Sequence, residues 1–569
     1  MFKGSAVKGF DWRVSRGGFR PMDHREWGEI VDADVLVLGG GAAGCGAAIA
    51  ARERGASVVL VEKGKLESSG CLGGGNDHFM AVLNSGPDTD TGQAVVDFYK
   101  TPLSGLTAKM IEEGWVRNMP IIMALLQDIG VEFVRDEHGG WLRTVGFGQP
   151  GNWWVHIKNG MTIKKRLAKK VRDVGVQVMD HVMVTLLLKG NGKVTGCIGF
   201  NVLDGTFHVF RAKKVVMALG NTASRGWANS TGNPYNIWQY PYHTGSYFVL
   251  AYEAGAKILN LDIGQRATMI PKGFGAPGMN GINSMGGYEL NGLGERFMGK
   301  YDPMWENGKR INQITGTYEE WVQGKGPPFY MDMRHLDENE VRHLQYELMP
   351  GDKATYLDYC NQKGIEFSRD LLEVEISELC FSGGLLMQDH FETHVSGLYN
   401  ACVFFAFSGA ICGGYYAGMQ AAEAVAQADE QEPLNESEIL AEKARIYKPI
   451  KTRNGMSYRE FEGAVRQVMA YYVGYMRNQQ GMEAALEKLS FLEGCVDQLT
   501  ASNYRELMKT NESRDLVKMC RLSTRASLER KESGRAYYKR SDYPELMPAL
   551  NKPLVLWQEG GQQKLAWGT

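Results

Sequence analysis

At 569 residues the chain is too long for a single hydrophobic core, and its length predicts about three to four domains. Its 63 basic and 65 acidic side chains nearly balance, so composition gives no support for binding to nucleic acid or to an anionic membrane surface. The nine cysteines occur singly without a C-x-x-C pair, which argues against a zinc knuckle or an iron–sulfur cluster in this chain. We therefore predict no bound metal and a reducing, cytoplasmic compartment, and the N-terminal residues show no apolar core of a signal peptide.

The strongest motif is a strand–turn–helix–strand unit over residues 34–63. Its turn carries G-x-G-x-x-G at Gly39, Gly41 and Gly44, where the first glycine permits a tight turn and the second lets the backbone approach a pyrophosphate. The third glycine allows close packing of the helix, whose N-terminus favours negative phosphates. Glu62 ends the second strand and is placed to accept hydrogen bonds from an adenosine ribose. The unit therefore predicts a bound dinucleotide.

A glycine-rich loop follows at residues 66–75, and Asn76, Asp77 and His78 come directly after it. Repeated glycines indicate that the backbone passes close to a ligand. A polar Asp–His pair at the end of such a loop is unusual for a purely structural segment. Asp77 and His78 are therefore candidates for catalysis or substrate binding, with a structural role as the alternative.

Periodicity divides the rest of the chain into regions. Residues 92–131 and 155–174 are predicted to be helical, the second with a basic, solvated face, and residues 176–216 alternate as a β-meander that returns to a parallel sheet. Residues 435–540 are predicted to be mostly helical. The uncharged, glycine-containing stretch 398–418 is predicted to be a buried strand and helix, not a membrane span.

An aromatic loop rich in asparagine and glycine occupies residues 221–248. Its length and irregularity are typical of functional loops. Within it, Tyr242 and His243 are candidate proton donors, with packing beside a cofactor as the alternative.

Four segments together show that the chain resembles the flavoprotein subunits of the succinate dehydrogenase and fumarate reductase superfamily, and within it the adenylylsulfate reductase alpha subunits. They are VLVLGGGAAGCGAAIAARERGASVVLVEKGKLESSG at 35–70, AKKVVMALGN at 212–221, STGNPYNIWQYPYHTGSYFVLAYEAGAKI at 230–258 and ERKESGRAYYKRSDYP at 529–544. The resemblance implies FAD in place of NAD. It also implies an α/β fold, in which a Rossmann-like FAD-binding domain carries an inserted α+β capping domain and is followed by a helical C-terminal domain.

The implied boundaries are an N-terminal extension at 1–31, FAD-binding halves at 32–250 and 374–428, the capping domain at 251–373 and the helical domain at 429–569. The motif and the resemblance together predict FAD contacts from Gly39, Gly41, Ala42, Ala43, Gly44, Glu62, Lys63, Ser69, Gly70, Cys71, Gly74, Gly75, Asn76, Met183, Ala218, Leu219, Gly220, Asn221, Cys402, Ser408 and Gly409. Cys380, Cys402 and Cys412 fall in segments expected near the flavin, where a redox thiol competes with the commoner interpretation as small buried hydrophobes.

Departures from the family pattern restrict the function that the resemblance implies. Succinate dehydrogenases have a histidine in the glycine loop that bonds covalently to the flavin, and Ser69 stands there in this chain, so we expect non-covalent FAD. The histidine and the arginine with which the dicarboxylate enzymes bind their substrate are replaced within residues 378–382 and by Cys412. A C4 dicarboxylate needs two cationic contacts, so these changes argue against succinate or fumarate.

The likeness to adenylylsulfate reductase is also incomplete in the substrate pocket. Its histidine in an H-S-G segment is replaced by Phe381, whereas its flavin-side tryptophan is matched by Trp238. Its arginine in H-R-F-I-P is loosely matched by Arg266, which is the first candidate for binding an anionic substrate, with a surface or hinge arginine as the alternative. If Arg266 is not that cation, Lys272 and Arg225 are the next candidates.

The leading interpretation is a cytoplasmic FAD-dependent oxidoreductase subunit that acts on a small anion and exchanges electrons with a separate ferredoxin-like iron–sulfur protein, as the resemblance implies. One alternative is a soluble reductase or dehydrogenase of an unsaturated or aromatic organic acid. Another is a flavin-bearing electron-transfer subunit without a substrate of its own. A polar pocket would favour an enzyme, and a sealed apolar pocket would favour the electron-transfer role. The sequence leaves open whether the chain forms homo- or hetero-oligomers.

Overall fold

The computed structural model describes residues 28–84, 87–227, 233–235, 240–266, 269–274, 280–353, 355–376, 379–381, 383–427 and 433–568. At residues 224, 264–266, 376 and 379–381 it describes the backbone alone. Most of the predicted N-terminal extension lies outside these residues.

The strands, in chain order, are β1 (Glu29–Leu38), β2 (Val58–Glu62), β3 (His78–Met80), β4 (Glu132–Phe133), β5 (Arg143–Thr144), β6 (Trp154–Lys158), β7 (Gln177–Asp180), β8 (Val182–Gly190), β9 (Lys193–Asn201), β10 (Phe207–Met217), β11 (Ile258–Leu259), β12 (Gly264–Arg266), β13 (Met269–Pro271), β14 (Tyr288–Leu290), β15 (Phe329–Asp332), β16 (Leu372–Ile376), β17 (Leu379–Phe381), β18 (Gly384–Leu385), β19 (Leu398–Asn400), β20 (Met476–Arg477), β21 (Lys539–Arg540), β22 (Leu554–Glu559) and β23 (Gln562–Trp567). The α-helices are α1 (Ala42–Glu53), α2 (Gly92–Tyr99), α3 (Ala108–Gly114), α4 (Met119–Asp128), α5 (Ile163–Asp173), α6 (Ser246–Ala254), α7 (Asn280–Ser284), α8 (Arg310–Val322), α9 (Glu338–His343), α10 (Met349–Asp352), α11 (Tyr356–Lys363), α12 (Ala406–Glu423), α13 (Glu436–Lys451), α14 (Tyr458–Tyr472), α15 (Gln479–Gly494) and α16 (Tyr504–Glu529).

A seven-stranded sheet organises the larger part of the chain, which we call the sheet domain. Its order is β7–β2–β1–β10–β9–β8, and β19 pairs with the end of β10. The strands β7, β2, β1, β10 and β19 are parallel to one another, whereas β8, β9 and β10 form the antiparallel meander predicted at 176–216. This combination gives the α/β fold with a Rossmann-like strand–turn–helix unit.

Strand β1 begins at Glu29, inside the predicted N-terminal extension and before the apolar run at 35–38. The polar first residues of β1 are part of the strand because Glu29 to Ala33 pair in parallel with His208 to Ala212. There the Asp32 carboxylate and the Arg211 guanidinium form an ion pair at 2.6 Å. The alternation of apolar and polar residues therefore indicates where β1 begins, whereas apolar content alone does not.

The sequence predicted one helix over residues 155–174, but the structure has a strand followed by a shorter helix there. Strand β6 ends at Lys158 and helix α5 begins at Ile163. On the basic face of α5, Lys164 is buried and its ammonium donates to the Leu66 carbonyl. The prediction of a fully solvated basic face was therefore wrong for Lys164.

Helices α1 and α12 pack backbone to backbone beneath the sheet. A Cβ added at Gly414 or Gly418 would lie 2.1 Å from the Ala43 or Ala47 carbonyl oxygen, respectively. A Cβ at Gly46 would lie 2.5 Å from the Ile411 carbonyl oxygen. The stretch 398–418 is thus a buried strand and helix, as predicted. No helix of the described residues is both long and apolar enough to cross a membrane.

A smaller unit, the cap, consists of residues 269–376 apart from those not described. Its sheet has the order β13–β16–β15–β14. Its own apolar core contains Met269, Met331, Leu344 and Val374 and is separate from the cores of the sheet domain. The cap lies across the parallel strands' C-terminal edge, where its helices α7, α8 and α10 contribute to the site described below.

Helices α13 to α16 make the region 435–540 helical, as predicted. The chain then ends in the hairpin β22–β23, whereas the resemblance implied helix to the C-terminus. Strand β22 pairs with β11 of the sheet domain, and its residues Leu554, Val555 and Leu556 are buried. The hairpin therefore closes an apolar edge of the larger domain.

A buried charge cluster joins the end of β2 to the helical region. Glu512 of α16 accepts from Lys63 at 2.6 Å and from Arg225 and Lys509 at 2.8 Å, and Arg225 also pairs with Glu462 of α14 at 2.8 Å. Burial alone would raise the pKa of Glu512, but the three cations hold it below its ordinary range. Each charge in the cluster has an opposite partner, which is the condition for burying it.

The contact between α1 and α12 leads to a stability prediction. We expect Gly414→Ala to lower the free energy of unfolding by about 3 kcal/mol, because the new methyl group meets backbone that cannot rotate away. Gly463→Ala in α14 is the matched control, since a Cβ there meets nothing within 4 Å. The control should be neutral or stabilising by up to about 1 kcal/mol. Denaturant unfolding measures both, and equal effects of the two substitutions would contradict the packing argument.

Candidate functional site

A cavity of about 1070 Å³ opens between the C-terminal edge of the parallel strands and the cap. This is the edge at which α/β sheets bind ligands. Its volume suits a dinucleotide with room for a small second ligand. Its walls include the fingerprint turn 39–43, the loop 70–78, the segments 218–222, 240–246 and 402–407, and the cap residues 280–281, 309–311 and 352–353.

The fingerprint glycines serve the roles that the motif predicts. Gly39 has φ +97°, and a Cβ on it would lie 2.5 Å from the Ala218 carbonyl oxygen. A Cβ on Gly44 would lie 1.8 Å from the Gly39 carbonyl oxygen. The Cβ position of Gly41 meets only the Gly70 Cα, at 4.0 Å, so the backbone faces open cavity there. Helix α1 begins next to Gly41 without a side-chain cap, which leaves its N-terminus suited to a phosphate.

Glu62 lies on the cavity wall and holds the turn in shape. Its Oε2 accepts from the Gly40 N–H at 2.7 Å and its Oε1 from the Gly64 N–H at 2.6 Å. Each carboxylate oxygen has a second acceptor position. Glu62 can therefore keep both backbone bonds and accept ribose hydroxyls, as the motif predicts.

The structure brings most of the predicted cofactor contacts together on the cavity wall. Those that line it are Gly39, Gly41, Ala42, Ala43, Glu62, Lys63, Gly70, Cys71, Gly74, Gly75, Asn76, Met183, Ala218, Leu219, Gly220, Asn221 and Cys402. The Lys63 ammonium is directed to the Tyr242 carbonyl and to Glu512, so its charge serves the buried cluster.

Four predicted contacts support the wall from behind instead of lining it. Gly44 packs against Gly39, and the Ser69 hydroxyl donates to the Gly40 carbonyl at 3.1 Å. Ser408 is fully buried and its hydroxyl donates to the Met80 carbonyl at 2.6 Å. A Cβ on Gly409 would lie 2.7 Å from the Phe404 Cβ. Sequence spacing could not distinguish a residue that faces the ligand from one that packs beneath it.

The cysteines predicted near the flavin differ in their surroundings. Burial raises the pKa of Cys402 to about 12, whereas Cys71 lines the cavity and is exposed. Cys412 is buried in the core of the sheet domain and does not line the cavity, and only the backbone of Cys380 is described. Burial disfavours the thiolates of Cys402 and Cys412, so these two cysteines are better explained as packing residues.

Asp77 and His78 do meet in the cavity. His78 Nδ1 lies 2.5 Å from Asp77 Oδ1, and the His78 ring stacks on Trp154 with centroids 4.1 Å apart. Although burial opposes it, His78 holds the pKa of Asp77 below its ordinary value. Burial lowers the pKa of the neighbouring His156 to about 3, so that imidazole is neutral. The pair is thus an oriented, ionised carboxylate with a fixed imidazole.

Sequence reasoning missed Asp352, which ends α10 of the cap and faces the same cavity. Burial and the charge of Asp77 raise the pKa of Asp352 well above its ordinary value. One carboxyl therefore keeps its proton while the other is ionised, which is how paired acids divide acid and base roles. The only sequence signal was a polar residue in a Pro-Gly-Asp-Lys turn, which is common in surface loops.

Tyr242 and His243 also line the cavity. His243 Nδ1 lies 2.9 Å from the Thr222 hydroxyl, and the ring covers Gly220, whose Cβ position is 2.6 Å from it. Burial lowers the pKa of His243 to about 3, so the imidazole is neutral. His243 can donate or accept a hydrogen bond there but does not contribute a positive charge.

The cations of the cavity come mainly from the cap. Lys309 and Arg310, at the start of α8, line it, and Arg310 stacks on Phe147 of the sheet domain at 4.0 Å while only 7% exposed. The Arg266 side chain and Trp238 are outside the described residues, so their predicted roles stay predictions. The two alternative cations lie elsewhere: Lys272 pairs with Glu373 on the surface, and Arg225 belongs to the buried cluster.

Comparison with known proteins agrees with this geometry. The family model described as FAD binding domain matches residues 34–407, and the one described as fumarate reductase flavoprotein C-term matches residues 462–560. A fumarate reductase (CoM/CoB) subunit of Methanothermobacter marburgensis is 25% identical over 93% of this chain and 97% of its own length. An uncharacterised FAD-dependent oxidoreductase of Methanocaldococcus jannaschii is 26% identical over 90% of this chain and 94% of its own.

Among solved structures, adenylylsulfate reductase from Archaeoglobus fulgidus superposes with a TM-score of 0.83, covering 95% of this chain and 96% of its own at 21% identity. That likeness shows the fold. The family matches, the relatives and the glycine-lined cavity lead to one conclusion. The chain belongs to the family described as FAD binding domain, carries the C-terminal region of fumarate reductase flavoproteins, and is an FAD-dependent oxidoreductase.

Proposed function

We propose that this FAD-dependent oxidoreductase binds a small anion between its cap and its sheet domain and exchanges electrons with a separate iron–sulfur protein. The observation that carries the substrate proposal is the pair Lys309 and Arg310, which the cap presents to the cavity that is lined by the fingerprint glycines. A cavity that contains cations, carboxyls and imidazoles favours an enzyme over a sealed electron-transfer subunit, which would need only apolar packing around its cofactor.

The chain's own residues divide into three tasks. The glycine turn 39–41 and the N-terminus of α1 bind the pyrophosphate of FAD, and Glu62 orients its ribose. Bound FAD supplies two-electron transfer. Arg310 attracts and orients the anion, because its planar guanidinium is fixed on Phe147 and offers several donors in one plane.

The third task is the transfer of protons. Asp352 holds a proton at the cavity wall, and the ionised Asp77 with His78 is placed to accept one. The neutral His243 also lines the cavity and can fix a hydrogen bond without adding charge. Asp352 is therefore our candidate for the general acid and the Asp77–His78 pair for the base.

A partner that carries electrons is supported by two observations. Within the described residues, no group of three or more His, Cys, Asp or Glu side chains could hold a metal ion. The methanogen relative is, by its name, one subunit of its fumarate reductase. An iron–sulfur partner is the carrier that the family resemblance implies.

The second candidate function is a reductase or dehydrogenase of an organic acid, which the fumarate reductase relative favours. In the dicarboxylate enzymes an arginine occupies the α12 position that Cys412 occupies in this chain. Cys412 is buried and lies outside the cavity, which argues against a C4 dicarboxylate as substrate. The cap cations Lys309, Arg310 and Lys353 line the cavity, and so does Arg535, whose guanidinium already donates to Glu532 and Asn551. A singly anionic group fits these contacts better than a dicarboxylate.

We predict that FAD is bound without a covalent link. Ser69 replaces the flavin-linking histidine, and its hydroxyl is turned away from the cavity to the Gly40 carbonyl. Acid precipitation should therefore release the yellow cofactor into the supernatant. Flavin that remains with the precipitated protein would show that another residue, with Cys71 first because it lines the cavity, forms the bond.

We predict that Arg310 binds the anion. Sulfite is a suitable probe, because its reversible addition to an oxidised flavin bleaches the visible absorbance. Arg310→Gln should weaken sulfite binding by about 2 kcal/mol, roughly 30-fold in Kd, through loss of charged hydrogen bonds. Arg310→Lys should recover only part of it, because lysine lacks the planar donor geometry.

Lys272→Gln is the matched control for Arg310, since Lys272 is a cap cation paired on the surface with Glu373. It should leave the Kd for sulfite unchanged, and Arg266→Gln tests the cation that sequence resemblance suggested. FAD content should be unchanged in all the variants, because the fingerprint turn holds the cofactor. Equal sulfite affinity of Arg310→Gln and the parent would remove Arg310 from the substrate site.

The electron partner leads to a separate prediction. A ferredoxin-like protein encoded beside the gene for this chain should co-elute with it and, once reduced, should reduce the bound FAD in stopped-flow mixing. An unrelated ferredoxin at the same concentration is the control and should reduce it more slowly. If dithionite reduces the flavin but the neighbouring protein neither binds nor reduces it, the partner proposal fails.

A further inference from the structure

A second polar site lies inside the cap and is separate from the cavity. It is formed by Asn283 of α7, Glu289 of β14, Gln313 of α8 and Glu306, which stands just before α8. Their side chains are at most 3% exposed. Four polar groups of this size are rarely buried together unless every donor and acceptor has a partner.

The donors of this site are satisfied. Asn283 Nδ2 donates to Glu289 Oε1 at 2.9 Å and to the Glu306 backbone carbonyl at 3.3 Å. Gln313 Nε2 donates to the same Glu306 carbonyl and to the Gly308 carbonyl at 3.2 Å. These bonds also fix the orientation of both amides, because a flipped amide would place oxygen against the Glu306 carbonyl oxygen.

The acceptors are not satisfied. Asn283 Oδ1, Glu289 Oε2 and Gln313 Oε1 find no hydrogen-bond donor within the described part of the chain. All three unpartnered atoms are oxygens, and all belong to side chains gathered around Glu306. Buried acceptors without partners are costly, so their grouping points to a ligand that carries positive charge.

The site holds one carboxyl, that of Glu289, which has no cation to balance it when it is ionised. Glu306 is paired with Arg296, whose guanidinium nitrogens lie 2.9 and 2.6 Å from its carboxylate oxygens and which stacks on Tyr288 at 3.7 Å. Among the described residues no cation pairs with Glu289. Burial and the charge of Glu306 raise the pKa of Glu289 to about 8. A bound cation would restore the ionised carboxylate.

We propose that a monovalent alkali cation, Na⁺ or K⁺, binds in the cap between Asn283, Glu289 and Gln313. Amide and carboxylate oxygens are the ligands that hard cations prefer. One positive charge neutralises the site, whereas a divalent ion would leave a buried excess. An ordered water would accompany a protonated Glu289, whereas an alkali cation would accompany the ionised carboxylate, and the pH dependence of the stabilisation distinguishes the two.

The cation has a structural consequence for the cavity. It joins α7 to the start of α8, and these two elements carry the cavity residues Asn280, Gly281, Lys309 and Arg310. Binding of the cation therefore positions the cap's part of the cavity wall. The inference rests on the cap alone and holds whether or not the proposed substrate is correct.

The test is a thermal unfolding series with the FAD-loaded protein in choline chloride, where NaCl or KCl replaces choline at constant ionic strength. The parent should gain at least about 2 °C in Tm with an alkali cation. In Glu289→Gln the gain should vanish. Its Tm in choline alone should equal or exceed that of the parent, because a neutral amide removes the buried charge. The matched control Glu338→Gln, on the exposed surface of the cap, should keep the full gain.

The pH dependence supplies a second readout. Without cation, the raised pKa of Glu289 means that folded stability is lost as pH rises from the ordinary glutamate range through about 8. The charged groups that face Glu289 are Glu306 and its partner Arg296. The gain from an alkali cation should therefore be larger at about pH 9 than at about pH 6, because protons compete for the carboxylate.

Three results would overturn the proposal. If neither Na⁺ nor K⁺ raises the Tm of the parent, and the sodium NMR line width is the same with parent and Glu289→Gln, no alkali cation binds. If Ca²⁺ alone stabilises the parent, the argument from charge neutrality is wrong. A fall of the Tm of Glu289→Gln in choline with an unchanged response to Na⁺ and K⁺ would show that Glu289 is merely structural.

Discussion

The contact between helices α1 and α12 is the constraint on which the site depends. Gly414 and Gly418 bring the backbone of α12 against the Ala43 and Ala47 carbonyls of α1. This contact holds two segments together that are more than 350 residues apart in the chain. One begins with the phosphate-binding turn and the other follows the segment 402–407, so the two walls of the cavity are fixed by one interface of small residues.

Features that depend on the local backbone conformation could be predicted from the sequence. The turn at Gly39, the meander and the strand–helix pair at 398–418 each leave a pattern of glycines or alternating apolar residues within a short window. The start of β1 and the burial of Lys164 could not be predicted in the same way. Each depends on a partner distant in sequence, the parallel neighbour β10 in one case and the Leu66 carbonyl in the other.

The polar chemistry of the cavity was harder to predict for the same reason. Asp77 and His78 were found because they follow a glycine loop, whereas Arg310 and Asp352 come from irregular cap segments whose composition is typical of any surface. What makes them distinctive is the environment: Phe147 beneath the guanidinium and Asp77 beside the carboxyl. Those neighbours belong to the sheet domain, so the roles of Arg310 and Asp352 exist only once the cap is packed on it.

This arrangement separates cofactor binding from substrate recognition. The contacts available to FAD are mostly backbone groups and small residues of the sheet domain, which change little under mutation of side chains elsewhere. The positive charge available to a substrate comes mainly from the cap, and its position depends on how α7 and α8 are held. A family can therefore keep one flavin site and change its substrate by altering the cap. The unpartnered oxygens of Asn283 and Gln313 lie on the elements that carry this part of the cavity wall, so the polar interior of the cap and the position of its cations are linked.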